Sequence, residues 1–263
     1  MRPCLSEYYE GNPMTVLKNW INPYYLREST KKAISEDILS KPYVKYTCLD
    51  NFFREEKLDE LISHHHHLAF SEAKDRYSGK DSELLPYDGA VVWAERDKHF
   101  GSDLFFSPLW HDYLAFISAT ELKRPDQTEI KLRYHRPNAD GFWVHSDGFE
   151  RKMSAICYFN KDWSIQDGGM IQLWKIESTK DPLAPLIDNP IGRMDFLTQF
   201  VRIRTSTPGG GFSDQRAHDI SLIDQFIPHY NRLFLCNFYN QDSLHSVSPS
   251  GPKERLGFVQ WLF

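Results

Sequence analysis

The feature that most constrains the fold is a change of hydrophobic period near Glu129. Upstream, apolar residues recur at helical spacings of three, four and seven. From Glu129 onward they recur every second residue, because successive side chains of an extended chain project to opposite faces. Ile130, Leu132 and Tyr134 alternate with Glu129, Lys131 and Arg133, which predicts a strand with one wet face and with Tyr134 pointing inward. Further short strands are predicted at residues 142–147, 153–159, 170–176, 233–238 and 256–263. They are separated by turn-forming runs such as Pro137-Asn138-Ala139-Asp140-Gly141, Asp167-Gly168-Gly169 and Pro249-Ser250-Gly251-Pro252. Helices first and strands after point to an α+β, mainly β fold: a β-sandwich or jelly roll with N-terminal helices packed on one outer face.

Residues 1–40 are polar with scattered aromatics and read as an N-terminal extension that docks on the core through Trp20, Tyr24 and Tyr25. Residues 41–125 carry a strand at 43–49, rich in β-branched and aromatic side chains, and two supporting helices. The first helix, residues 55–72, places Leu58, Leu61, Ile62, His65, Leu68 and Ala69 on one face, and the second, residues 107–120, buries Trp110, Tyr113, Leu114 and Ile117. The run His64-His65-His66-His67 lies on the first helix, where neighbours point about 100° apart, so at most two could grip one metal. It reads as solvated helix surface with His65 packed inward.

A length of 263 residues with 41% hydrophobic content suits one domain, 1–263, with a sizeable core. The net charge of -5 offers no overall footprint for nucleic acid or an anionic membrane, so neither is expected as a partner. No apolar run approaches the roughly 20 residues of a membrane span, and residues 1–12 lack an apolar signal segment. Cys4, Cys48, Cys157 and Cys236 are widely spaced with no Cys-x-x-Cys, as expected of reduced thiols in a cytoplasmic protein.

Residues 126–263 form the predicted β core, interrupted by a long Pro- and Gly-rich stretch at about 177–230 that includes Thr207-Pro208-Gly209-Gly210-Gly211-Phe212. A segment of this length inside a compact domain predicts a lid, with some helix around residues 193–200 and a mobile tip at 209–211. Its Arg193, Arg202, Arg204 and Arg216 are candidates to meet an anionic substrate group.

Within the β region, His145-Ser146-Asp147 puts an imidazole and a carboxylate two residues apart, hence on one side of an extended chain. Two imidazoles and one carboxylate on one face of Fe(II), with open positions opposite, is the ligand set of non-haem iron oxygenases. Eleven histidines and 21 aspartates in 263 residues predict about one His-x-Asp by chance, so the pair means little without its surroundings.

Those surroundings resemble the prolyl-4-hydroxylase-like branch of the Fe(II)- and 2-oxoglutarate-dependent oxygenases over residues 43–263. The matching motifs occur in the family order: Lys41-Pro42-Tyr43-Val44 with Leu49-Asp50-Asn51-Phe52-Phe53; Arg133-Tyr134 before His145-Ser146-Asp147; Tyr158-Phe159-Asn160-Lys161-Asp162-Trp163 before Gly168-Gly169; Asn231-Arg232-Leu233-Phe234-Leu235; Ser243-Leu244-His245-Ser246-Val247; and Arg255-Leu256. The resemblance implies a double-stranded β-helix core of the jelly-roll or cupin type. It also implies His145, Asp147 and His245 as Fe(II) ligands, with no catalytic side chain beyond them. Arg255 is implied as the partner of the distal carboxylate of 2-oxoglutarate, and Tyr134 as a candidate to add a hydroxyl hydrogen bond there. O2 is the second cosubstrate, and ascorbate a candidate reductant. Asp147 stands where related halogenases carry a small residue, so hydroxylation is the expected outcome.

The substrate is expected to be a small molecule, such as an amino acid or natural-product intermediate, with an unactivated C–H bond as the target. A prolyl or other side chain of a peptide or protein is the alternative, and a metal-binding jelly roll without turnover a second.

Overall fold

The computed structural model describes residues 14–71, 100–122, 128–135, 137–138, 141–145, 151–179, 200–204, 212–237 and 243–263. In chain order, helices α1 (Met14–Trp20) and α2 (Glu28–Ser40) precede strand β1 (Lys45–Leu49) and helix α3 (Glu55–Ser71). The short α4 (Ser102–Phe105) and α5 (Pro108–Ser118) follow, and then strands β2 (Glu129–His135), β3 (Phe142–His145), β4 (Met153–Tyr158) and β5 (Ile171–Thr179). The chain continues with β6 (Phe200–Arg204), β7 (Phe212–Phe226), β8 (Leu233–Asn237), β9 (Leu244–Val247) and β10 (Arg255–Leu262).

One sheet has the order β1-β8-β4-β10-β2 and is antiparallel throughout. The other runs β3-β6-β7-β5-β9 and closes on itself through the β9–β3 pairing, with only β3–β6 parallel. The protein is therefore mainly β with antiparallel pairing and a helical layer, as its period change predicts.

Alternation along β8 shows how the layers are held. Leu233 and Leu235 join Met153, Ala155 and Phe258 against Trp20, Phe52, Leu58, Leu61, Trp110 and Leu114, so this face of the first sheet is covered by the N-terminal elements. Phe234 and Cys236 point the other way and pack with Val259, Trp261, Ile171 and Leu173, which joins the two sheets in a second core. Buried Gln260 ties the helices to β10: its Oε1 accepts from Trp110 Nε1 at 2.8 Å and its Nε2 donates to Phe105 O at 2.8 Å. No polar atom of that amide is left without a partner, as burial requires.

Residues 14–40 supply part of the core: Trp20 and Tyr25 are buried as expected, whereas Tyr24 is exposed. Helix α5 begins where Ser107 accepts a hydrogen bond from Leu109 N, an N-cap followed directly by Pro108. Helix α3 runs through the four histidines; His64 stacks on Phe100 at 4.7 Å, and the side chains of His65, His66 and His67 lie outside the described residues. Cys48 and Cys157 are free cysteines, and burial pushes the Cys48 thiol up to about 12.

The long Pro- and Gly-rich stretch differs from expectation. It contains strand β6 and the 15-residue β7, which pairs with both β5 and β6. The helix predicted around 193–200 falls on residues outside the described ones, apart from Phe200, which opens β6; the tip at 209–211 also lies outside them. Among the described residues no helix is long and apolar enough to cross a membrane.

Candidate active site

Strands β3 and β9 run antiparallel with His145 directly opposite His245, and the two rings lie 4.2 Å apart between centroids. On its other side His245 is opposite Leu173, a member of the inter-sheet core, so the histidine occupies the inward face. His245 Nδ1 lies 3.3 Å from the Ser243 carbonyl. A carbonyl only accepts, so Nδ1 carries the proton and Nε2 keeps the lone pair that metal coordination uses. Imidazole binds a metal at about 2.0–2.1 Å, and two rings this close can reach one ion. Asp147 lies outside the described residues, and among the described residues no third His, Cys, Asp or Glu joins the pair.

Arg255, at the start of β10, is buried. Its Nη1 lies 3.2 Å from Nε2 of His135, its cross-strand partner on β2, while Tyr134 is opposite Leu256. The guanidinium has no acceptor, so His135 Nε2 must be the acceptor and the ring is neutral with its proton on Nδ1. Burial, with Arg255 and Arg133 nearby, holds the His135 pKa well below the usual histidine range. The Arg255 guanidinium also sits 5.2 Å from the ring centroid of Tyr158. Tyr158 is buried and its phenol is pushed up to about 12, chiefly by burial and against the opposing effect of Arg255. Arg255 Nε and the Tyr158 hydroxyl are both buried, and apart from the close approach of Arg255 to the phenol neither has a hydrogen-bond partner among the described residues. Two adjacent orphan donors, one on a permanent cation, make a site for a carboxylate, because leaving such groups unmet in the interior is costly.

The backbone around Arg255 is clamped. Asn160 Oδ1 accepts from Leu256 N at 2.5 Å and its Nδ2 donates to Glu254 O at 2.6 Å, so one amide holds both neighbours of the arginine. Gly169 lies against the side chain: a Cβ there would meet Arg255 Cδ at 2.9 Å, and φ is +63°. The same segment holds the turn between β9 and β10, with Gly169 N donating to Pro249 O at 2.9 Å and Gly251 N to Asp167 O at 2.8 Å. The Asp167 carboxylate accepts from Ser164 N at 2.7 Å and Lys253 Nζ at 3.0 Å. The Gly168-Gly169 and Pro249–Pro252 motifs are thus two halves of one support between His245 and Arg255.

Trp174 belongs to a separate chain on the opposite face of β5, donating to Ser246 Oγ at 2.7 Å, which donates to Gln172 Oε1 at 3.0 Å. Arg202 and Arg204 lie on β6 and Arg216 on β7, with their side chains outside the described residues, as is all of Arg193. Tyr158 and His135 were not legible as site residues: Tyr158 sits in an apolar strand run, and His135 has no ligand-like spacing to another histidine. The one available signal was the position of Tyr158 at the head of Tyr158-Phe159-Asn160.

No family model and no curated protein sequence matches the chain. Solved structures do match. A Pseudomonas putida prolyl-4-hydroxylase is 15% identical with a TM-score of 0.55, covering 88% of this chain and 97% of its own. A Trichoplax adhaerens prolyl hydroxylase, solved in complex with a hypoxia-inducible-factor peptide fragment, is 13% identical with a TM-score of 0.55 and covers 97% of this chain and 94% of its own. A non-haem α-ketoglutarate-dependent carbocyclase from nogalamycin biosynthesis is 10% identical with a TM-score of 0.54, covering 86% and 82%. The chain shares the fold of these oxygenases.

Proposed function

We propose that this chain, folded like the prolyl-4-hydroxylases and related 2-oxoglutarate oxygenases, is a non-haem Fe(II)- and 2-oxoglutarate-dependent dioxygenase. We read residues 1–263 as one oxygenase domain and the two sheets as the double-stranded β-helix of that fold. The observation that carries the proposal is the pair of buried donors without partners, Arg255 Nε and Tyr158 OH. They lie on β10 and at the end of β4, and β10 follows directly on the strand that presents His245 to His145.

In this reading His145, Asp147 and His245 would hold Fe(II), which when bound with 2-oxoglutarate and O2 supplies the oxidative decarboxylation coupled to C–H hydroxylation that side chains alone cannot perform. The chain's own residues do the rest. Arg255 holds the distal carboxylate of 2-oxoglutarate as a charge partner and Tyr158 donates a hydrogen bond to it; Tyr134, paired with Leu256 at the alternate register position, is not assigned to that contact. Apolar Leu173 and Val259 of the inter-sheet core keep water from the carboxylate site, which strengthens its electrostatics. Ascorbate serves as a candidate reductant. Reduced Cys48, Cys157 and Cys236 fit a cytoplasmic location.

The substrate we favour is a small molecule, an amino acid or natural-product intermediate, hydroxylated at an unactivated C–H bond. A peptide or protein side chain is the second reading, supported by the likeness to prolyl hydroxylases, one of them solved with a peptide. Succinate formation from 2-oxoglutarate with Fe(II) and ascorbate tests the activity, comparing wild type with His145→Ala and Arg255→Ala. Absence of succinate from wild type across a broad substrate panel would overturn it, leaving a metal-binding jelly roll. Mass spectrometry of metabolite and peptide pools for a +16 product then decides between the substrate classes.

A further inference from the structure

We infer that His135 is a positioning residue for Arg255, one that orients the guanidinium toward the cosubstrate's distal carboxylate without neutralising it; this rests on the oxygenase reading. A buried arginine needs acceptors for its N–H groups, and the usual acceptor is a carboxylate. A carboxylate here would cancel the charge that the pocket exists to offer. His135 instead accepts at Nη1 through a neutral ring nitrogen, 3.2 Å away. One donor is thereby satisfied, the plane of the guanidinium is fixed, and the positive charge is retained. Nε is left directed elsewhere, with the Tyr158 ring beside the guanidinium.

The register makes this arrangement specific. Arg255 and His135 are directly opposite on β10 and β2, so neither has to reach, and the Asn160 amide fixes the backbone at Glu254 and Leu256. The ring is itself buried, which excludes water as a competing partner for Nη1. Neutral acceptor, fixed plane and surviving charge together select a ligand with an anionic group at a set distance from its metal-binding end.

The experiment compares 2-oxoglutarate with 2-oxobutyrate, which offers the same metal-binding groups without the distal carboxylate. Calorimetry on the Fe(II)-loaded full chain under anaerobic conditions measures both ligands for wild type, His135→Gln and His135→Asp. Glutamine keeps a neutral acceptor, and binding of both ligands stays within about threefold of wild type. Aspartate keeps an acceptor but neutralises Arg255, so 2-oxoglutarate weakens at least about tenfold while 2-oxobutyrate stays within about twofold; salt-bridged charge no longer available to the ligand accounts for the difference. Equal weakening of both ligands, or undiminished preference for 2-oxoglutarate in His135→Asp, overturns the inference and leaves the oxygenase reading standing. A wild type that shows no preference for 2-oxoglutarate overturns both.

Discussion

His145 and His245 face each other across β3 and β9, 100 residues apart in sequence, with their rings 4.2 Å apart. If they share a metal, replacing either removes a ligand outright. Partners that merely orient metal ligands are worth about 10–100-fold, so loss of a ligand is expected to weaken metal affinity by at least about 100-fold. Co(II) titration followed by absorption should show this for His145→Ala and His245→Ala, and also for Asp147→Ala. Retention of wild-type affinity in any one variant removes that residue from the ligand set.

Tyr158→Phe separates binding from stability. The phenol is buried without a hydrogen-bond partner, so deleting its oxygen relieves an unmet polar group. Such a group costs about 1–3 kcal/mol, and the variant without ligand is expected to be as stable as wild type or more so. Its affinity for 2-oxoglutarate should fall about fivefold, the loss of one hydrogen bond worth about 1 kcal/mol. Arg255→Gln loses a charged partner and should raise the KM for 2-oxoglutarate by about 10–100-fold. Paired urea melts and steady-state kinetics provide both readouts.

Asn231 explains why two distant motifs occur together. Its Oδ1 accepts from Phe53 N at 2.9 Å and its Nδ2 donates to Phe53 O at 2.8 Å, while its backbone takes φ 58°. Beside it, Arg232 pairs with Asp50 through Nε–Oδ1 at 2.5 Å and Nη2–Oδ2 at 2.8 Å. Asn231→Ala leaves both polar groups of Phe53 without their partner and puts alanine in the left-handed region. Two hydrogen bonds at about 1 kcal/mol each, plus backbone strain of about 1 kcal/mol, predict a loss near 3 kcal/mol in chemical denaturation.

The extent to which such features were legible follows from where their signal lies. Trp110, Tyr113, Leu114 and Ile117 are buried as their spacing predicts, because a single amphipathic helix carries its own periodicity. Strand β7 gave no such signal. Its pairing with β5 shifts register between Leu173 and Trp174 and again between Ile176 and Ser178, and each shift interrupts the period of two. Leu222 on that strand is exposed, while Asp224 is taken up by the Tyr46 hydroxyl at 2.7 Å. At the candidate site, the histidines and Arg255 are proposed from their motifs. The place of His135 was not legible in this way, because its partner lies 120 residues away and only the β2–β10 register brings them together.

Acid should destabilise the protein through His135. Its folded pKa is depressed by burial and by Arg255, so between that value and the ordinary one the unfolded chain binds the extra proton. Stability from this group is constant above about pH 6.5 and is lost as pH falls below it, with a slope approaching about 1.4 kcal/mol per pH unit. Urea unfolding of wild type and His135→Gln between pH 7 and 5 should show the steeper loss in wild type. Parallel curves would contradict it.

Gly169→Ala tests whether the double glycine serves Arg255 or only the turn. The added Cβ would lie 2.9 Å from Arg255 Cδ, and φ of +63° disfavours alanine by about 1–2 kcal/mol. A purely backbone effect would lower Tm and leave ligand binding intact. Displacement of the guanidinium would also move it away from His135 and Tyr158, since Asn160 clamps the backbone on both sides and the side chain must absorb the clash. The expected result is a lower Tm together with a KM for 2-oxoglutarate raised by about tenfold, the same direction as Arg255→Gln and smaller or equal in size. An unchanged KM in a folded Gly169→Ala protein would show that Arg255 accommodates the methyl group and that the glycine is required by the turn alone.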